Sequence, residues 1–447
     1  LVDRIVNFFT SLMRKYMPDS FAIVILLTLA VMLLAVTVEG QSPQAMITAW
    51  GNGFWSLLAF TTQMAVILAM GYVLATAPLV NRFINKIVSH IETPSAAIAV
   101  ATLAGGIGSY LNWGFGLVLG GIVAKKLAIK VRGLHYPLVI AAAYSGFTLY
   151  GYGLSASVPL IISTPKHPME ATMGVIPLSE TIFAWPVMLT ALVILIVLPI
   201  VNVRLQPREP SAIIEISDEL RAEEEAATVA PQTSSSTTIA DRINNSSIIS
   251  LVIGVIGLCY VAFHFAAGAS LDLNLINFII LFLGIILHGT PAAYAKQLTR
   301  GVSTISGIIL QFPFYAGIMA VMTASGLVQS ISHLFVQIST AQTLPFWGLV
   351  SSFVINFFAP SGGGHWVIQG PFMIDAAKTL NSSLAQNAMA VQLGNAWNDL
   401  VQPFWILPAL ALSKLRLRDI MGYTVILMFV VGVITIALLL FWGILTH

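Results

Sequence analysis

Residues 356–371 read Asn-Phe-Phe-Ala-Pro-Ser-Gly-Gly-Gly-His-Trp-Val-Ile-Gln-Gly-Pro, in a chain otherwise suited to lipid. Three successive glycines and two prolines argue against one continuous helix. The setting makes the break informative, because 57% of the 447 residues are hydrophobic and 9% are charged. Mean hydropathy is +0.90. A soluble chain carries roughly 25% charged residues, so the sequence describes an all-α polytopic membrane protein. Non-helical backbone at bilayer depth is tolerated only where protein buries it or where it lines a watery cavity. The break is therefore a candidate solute site, and a second one occurs at Asn112-Trp-Gly-Phe-Gly116.

Apolar windows of about 19 residues place crossings near 20–38, 54–76, 136–162, 181–203, 246–267, 272–288, 302–325, 386–412 and 419–445. The stretches 94–127 and 344–378 contain the two breaks and read as re-entrant hairpins. With that reading, Lys166 and Lys378 alone of the 20 Lys and Arg residues fall on one side. The positive-inside rule then puts the N-terminus in the cytoplasm and the C-terminus outside. Treating the first hairpin as a full crossing would reverse every later loop and spoil the sorting.

The breaks also share a spacing: Pro159 follows Asn112 by 47 residues, and Pro403 follows Asn356 by 47. Gln63 and Gln311 precede the two breaks by 49 and 45 residues. The division is 1–17, an amphipathic interfacial helix; 18–203, a first repeat; 204–245, a cytoplasmic linker; 246–267, a connecting helix; and 268–447, a second, inverted repeat. Inverted repeats with a site at their interface are the design of secondary transporters. The linker holds eight of the 18 acidic residues and a Ser/Thr run, and reads as a flexible solvated connector. No small-residue cleavage site follows 21–38, so the first span is expected to be uncleaved. Cys259, the one cysteine, excludes an internal disulfide framework. No Walker, HExxH or GxSxG pattern points to an enzyme, and no nucleic-acid partner is expected.

A half-helix N-terminus beyond a glycine break offers N–H groups and a positive dipole end to a carboxylate. The candidate substrate residues are Asn112, Trp113, Gly114 and Gly116 at the first break. At the second they are Asn356, Ser361, Gly362, Gly363, Gly364 and His365, with the helix starting at His365. Each Asn either contacts substrate or merely caps its turn. His365 either donates to a carboxylate or binds the coupling proton, or else packs neutral beneath the hairpin. Asp399 falls mid-span, where a carboxylate costs roughly 2.5–3.5 kcal/mol. It should bind a cation, carry a proton or serve as a satisfied structural acceptor. Asn395, Asn398, Ser155 and Ser157 are the other coupling-ion candidates, for H⁺ or Na⁺, and no other cofactor is expected.

Taken together, 51–60, 112–118, 311–318, Pro360-Ser-Gly-Gly-Gly-His-Trp-Val-Ile-Gln-Gly-Pro371 and 418–423 resemble the short-chain fatty acid transporter family over essentially the whole chain. The resemblance implies uptake of butyrate- or acetoacetate-like monocarboxylates across the bacterial inner membrane. It also implies an elevator-type fold of the ion transporter superfamily and a homodimer. Di- or tricarboxylate symport is the alternative within transport, and an anion channel the alternative outside it.

Overall fold

The computed structural model describes residues 20–222, 238–269, 271–357, 359–402, 405–406, 410 and 413–446. The expected helix at 1–17, part of the linker and Pro403 lie outside the described residues. Among those residues the chain forms helices and no strand. In order these are α1 (Ser20–Thr37), α2 (Pro43–Gly53), α3 (Leu58–Ala75), α4 (Pro78–Ser89), α5 (Pro94–Leu111), α6 (Trp113–Lys130) and α7 (Tyr136–Ser145). A 3-10 turn, Gly146–Tyr152, leads to α8 (Ser157–Ser163) and α9 (Trp185–Arg204). Then come α10 (Ser247–Ala266), α11 (Leu273–His288), α12 (Pro291–Val302), α13 (Ser306–Ser325), α14 (Leu327–Ile338), α15 (Leu344–Ile355), α16 (Gly362–Leu380), α17 (Leu384–Asn398) and α18 (Leu417–Thr446).

Every expected crossing begins on or beside a helix, and among the described residues six helices are long and apolar enough to cross a membrane by themselves: α3, α5, α9, α10, α13 and α18. Two of the other expected crossings are interrupted. The crossing at 136–162 is split by the 3-10 turn, and α17 ends at Asn398. Helices α2, α4, α12 and α14 had no expected counterpart, because each is only 11 or 12 residues long. In α4, Asn81, Arg82, Asn85 and Lys86 interrupt the apolar window while Ile84 and Val88 pack inward.

The breaks are shorter than the sequence implies. Between α5 and α6 only Asn112 is non-helical (φ −157°, ψ 127°). The second break ends at Ser361, and the three glycines form the first turn of α16 rather than a lead-in to His365. Pro371 also sits within α16. A first turn has no N–H bonded back into the helix, so glycine loses little there.

The two helix pairs pack differently. Helices α5 and α6 lie against each other along their lengths, whereas α17 inserts beside α15 and α16 and takes most of the packing that the pair would share. Helix α3 packs against α6, and α13 against α16. The residues of α7, the 3-10 turn and α8 are all buried, as is nearly all of α17. By contrast α10 buries only Ser250, Gly254 and Gly257, and presents Ile248, Ile256 and Phe263 outward.

The first part of the expected flexible linker is docked. Ile216 and Leu220 are buried, and the Tyr136 N–H donates to Ile214 O at 2.7 Å. The apolar spacing of Ile213, Ile214, Ile216 and Leu220 is short and was hidden among acidic residues.

Candidate substrate and coupling site

Ser361 caps α16 from extended backbone (φ −157°), its Oγ accepting the Gly364 N–H at 3.4 Å. The N–H groups of Gly362 and Gly363 therefore stand at the open end of the helix. Neighbouring side chains press on this turn. A Cβ on Gly363 would meet Phe60 Cζ at 2.7 Å, and one on Gly362 would meet Ser157 Oγ at 2.9 Å. On Gly364 it would meet the Tyr315 ring. Glycine is needed here for close approach, because all three residues are helical.

A small cavity lies at this helix end. Its polar wall is Tyr150, Ser157, Ser361, Gly362 and Gln311, and its apolar wall includes Met64, Trp113, Phe147, Phe312 and Trp405. The Trp113 and Trp405 rings meet edge to face at 5.4 Å. Trp113 Nε1 is buried without a hydrogen-bond partner among the described residues. No Lys, Arg or His lines the cavity among the described residues. Such a space, mostly apolar with a few convergent donors, is typical of small-molecule sites.

Beside the cavity lies a closed polar cluster. Asp399 is wholly buried; Tyr150 Oη donates to its Oδ2 at 2.7 Å and Asn356 Nδ2 to its Oδ1 at 2.7 Å. Tyr150 Oη is also 2.5 Å from Asn395 Oδ1, and Asn395 Nδ2 donates to Asn356 Oδ1. Asn356 Nδ2 reaches Asn398 Oδ1 at 3.1 Å, and Gln402 Nε2 donates to Asn356 O at 2.8 Å. Tyr144 Oη donates to the Asp399 carbonyl. The cluster touches the tip as well: a Cβ on Gly362 would lie 3.4 Å from Asn395 Oδ1.

The first tip is built otherwise. Asn112 Oδ1 accepts the Phe115 N–H at 2.8 Å, Ser155 Oγ accepts the Trp113 N–H at 2.7 Å, and Asn112 O accepts the Gly116 N–H at 2.8 Å. These N–H groups are already paired. Ser155 thus serves this tip, while Ser157, two residues on, lines the cavity. Gly114 packs on Leu68 and Gly116 on Ser109, neither lining the cavity. Asn112 and Asn356 are not equivalent, since one caps a helix and the other joins the Asp399 cluster. His365 lies away from the cavity, with Nε2 2.5 Å from Gln369 Oε1 and 3.2 Å from Ser352 Oγ, tying α16 to α15.

The sequence alone singled out none of Tyr150, Gln402, Phe147 and Trp405. Gln402 lies one residue before Pro403 in the repeat spacing, which was its available signal. The paired glutamines separate: Gln311 lines the cavity, while Gln63 Nε2 donates to Asn274 Oδ1 at 2.7 Å.

Apolar helices long enough to cross a bilayer, interrupted at buried polar positions around a small cavity, define a polytopic membrane transport protein. The solved YdaH transporter of Alcanivorax borkumensis has the same fold, with a TM-score of 0.61, 15% identity, and coverage of 95% of this chain and 98% of that one. Its topology is described as unusual. The family model of the short chain fatty acid transporter matches residues 1–442, and the chain belongs to that family. A relative in Escherichia coli (strain K12) is 39% identical over 97% of this chain and 98% of its own. Another in Haemophilus influenzae is 37% identical over 95% and 96%. Both are named "Putative short-chain fatty acid transporter".

Proposed function

We propose that the protein is a secondary active symporter that carries short-chain fatty acids such as butyrate and acetoacetate across the bacterial inner membrane. One observation carries the reading: the open N-terminus of α16 ends in a cavity whose other wall is aromatic and uncharged. The Gly362 and Gly363 N–H groups and the Ser361 and Ser157 hydroxyls face a carboxylate, while Trp113, Phe147 and Trp405 cover a short acyl tail. A second carboxylate would find no cationic partner on that wall, so the geometry favours a monocarboxylate over a di- or tricarboxylate. The backbone N–H inventory supports the second tip as the anion site, since the Trp113, Phe115 and Gly116 N–H groups of the first tip are already paired.

Asp399 is the coupling residue in this reading, with Asn395 and Asn398 beside it. Their oxygens form a hard donor set suited to a metal cation such as Na⁺. Each faces an N–H or O–H donor, so a metal ion would require the Asn356 amide to turn as well as the Tyr150 hydroxyl. A proton on Oδ2 would require the hydroxyl alone to rotate. Either ion supplies the driving gradient and a counter-charge beside the substrate.

The order long helix, short amphipathic helix, helix pair, broken helix and long helix runs from α3 to α9 and again from α13 to α18. This supports two repeats of inverted topology, with α10 between them and the hairpins moving as an elevator against a scaffold containing α3 and α13. In this reading the N-terminus lies in the cytoplasm and the C-terminus in the periplasm, which the sorting of Lys and Arg supports, and the protein works as a homodimer. Uptake of labelled butyrate into proteoliposomes, with H⁺ and Na⁺ gradients imposed separately, tests the function. Accumulation above equilibrium under one gradient is expected, and equilibration under both would refute symport.

A further inference from the structure

We propose that Tyr150 is the residue through which substrate and coupling cation sense each other, an inference that rests on the symporter reading. Tyr150 is buried, lines the cavity next to Ser157 and Gly362, and also belongs to the Asp399 cluster. Of Tyr150, Asn356, Asn395, Asn398 and Asp399, it alone lines the cavity.

A tyrosine hydroxyl has one hydrogen to donate. Two acceptors lie in reach, Asn395 Oδ1 at 2.5 Å and Asp399 Oδ2 at 2.7 Å. The remaining bonds close a ring: Asn395 Nδ2 donates to Asn356 Oδ1, and Asn356 Nδ2 donates to Asp399 Oδ1 at 2.7 Å. Tyr150 can redirect its one hydrogen by rotating a single O–H bond, without turning an amide or moving the backbone.

That choice links the two ligands. A carboxylate in the cavity that accepts the Tyr150 hydrogen takes a donor from Asp399, leaving a buried anion more in need of a cation. A cation at Asp399 Oδ2 in turn expels the Tyr150 hydrogen and releases it toward the substrate. Each ligand strengthens the other, and such linkage is reciprocal by thermodynamic necessity.

Tyr150→Phe keeps the ring and removes the hydroxyl. Full-length protein in proteoliposomes is compared with the wild type in gradient-driven butyrate accumulation and in counterflow of labelled against unlabelled butyrate. The KM for butyrate is also measured at limiting and saturating coupling cation. Wild-type KM should fall by about fivefold or more as the cation rises. In Tyr150→Phe the KM should become independent of the cation, with accumulation lost and slowed counterflow surviving. Retained accumulation, a retained cation dependence, or parallel loss of both transport modes would overturn the proposal. Asn395→Leu, which removes the competing acceptor and keeps Tyr150, provides a second arm should Tyr150→Phe misfold: the hydrogen expelled from Asp399 then has the substrate to go to, so its KM should keep or strengthen the cation dependence, and loss of that dependence overturns the proposal. A wild type that merely equilibrates butyrate refutes symport itself, a result distinct from any outcome of the variants.

Discussion

Asn356 Nδ2 lies 2.7 Å from Asp399 Oδ1, joining the second break to the end of α17 inside a wholly buried cluster. Removing that donor leaves a buried oxygen short of a partner, at a cost of about 1–3 kcal/mol. Asn356→Ala should therefore lower the thermal midpoint of the detergent-solubilised protein. Asn356→Asp should lower it further, by setting a second carboxyl against the first. A thermal unfolding scan reads both, and a wild-type midpoint for Asn356→Asp would contradict the geometry.

The unequal tips give a second test. Ser361→Ala removes a hydroxyl from the proposed carboxylate site, and a hydrogen bond to a charged group is worth about 1.5–3 kcal/mol. Butyrate KM should rise by about tenfold or more. Asn112→Ala instead removes the cap of α6, at about 1 kcal/mol of stability, and should leave KM near the wild-type value. Equal effects of the two substitutions on KM would argue against placing the anion at the second tip.

Gly363 tests close approach directly. With a Cβ 2.7 Å from Phe60 Cζ, Gly363→Ala cannot seat unless the ring shifts. Transport should drop steeply, and Phe60→Leu in the same chain should restore part of it by shortening the obstructing side chain. Measuring butyrate uptake at matched protein levels separates seating from expression. An additive loss in the double variant would mean that the contact is not what fails.

These contacts also mark what the sequence could and could not reveal. The crossings were legible because a lipid-facing span must be apolar over its whole length, and the starts of α10, α11 and α18 follow from that alone. The breaks were legible through Asn112 and the Gly362–Gly364 run. Their true extent was not, because glycine is compatible with a helix's first turn and nothing in the composition says which side chains will press on it. Asp399 announced itself as an acid within an apolar span. Its partners did not: Tyr150 is 249 positions away, and an alternating Tyr-Gly run looks the same whether its hydroxyl meets lipid headgroups or a carboxylate. For His365 the sequence left carboxylate donor, proton carrier and neutral packing open, since its position at the motif says nothing of its side chain turning toward Ser352 and Gln369.

The Trp113–Trp405 pair bounds the apolar wall. Trp405→Ala should open space for a longer tail, and each methylene buried in it contributes about 0.8 kcal/mol. Competition of labelled butyrate uptake by unlabelled acids of increasing length is the measurement. Hexanoate should gain several-fold relative to butyrate in the variant. An unchanged order of competition would move the tail away from this wall.

The docked part of the linker should respond to pH through His135. Ile214 N donates to His135 Nδ1 at 3.0 Å, and Nε2 lies 3.0 Å from the Tyr423 hydroxyl. With Nδ1 accepting, the ring is neutral and its Nε2–H donates to Tyr423. Burial, at the start of α7 outside the span, lowers its pKa from the ordinary 6.5. A lowered imidazole pKa means that His135 takes up a proton first in the undocked state as the pH falls. The docking free energy is thus complete above about 6.5 and declines below it, toward the lower folded value. Protonation would also place a donor at Nδ1 against the Ile214 N–H. The nearby Glu215, which accepts the Gly133 N–H at 2.7 Å and pairs with Arg221 at 3.0 Å, holds the segment by contacts that do not involve the imidazole. Limited proteolysis by an enzyme active from pH 7 to 5 should cut within 205–222 more readily as the pH falls, relative to an unstructured control peptide. His135→Gln, which cannot titrate, should flatten that dependence; a profile identical to the wild type would assign the docking to other groups.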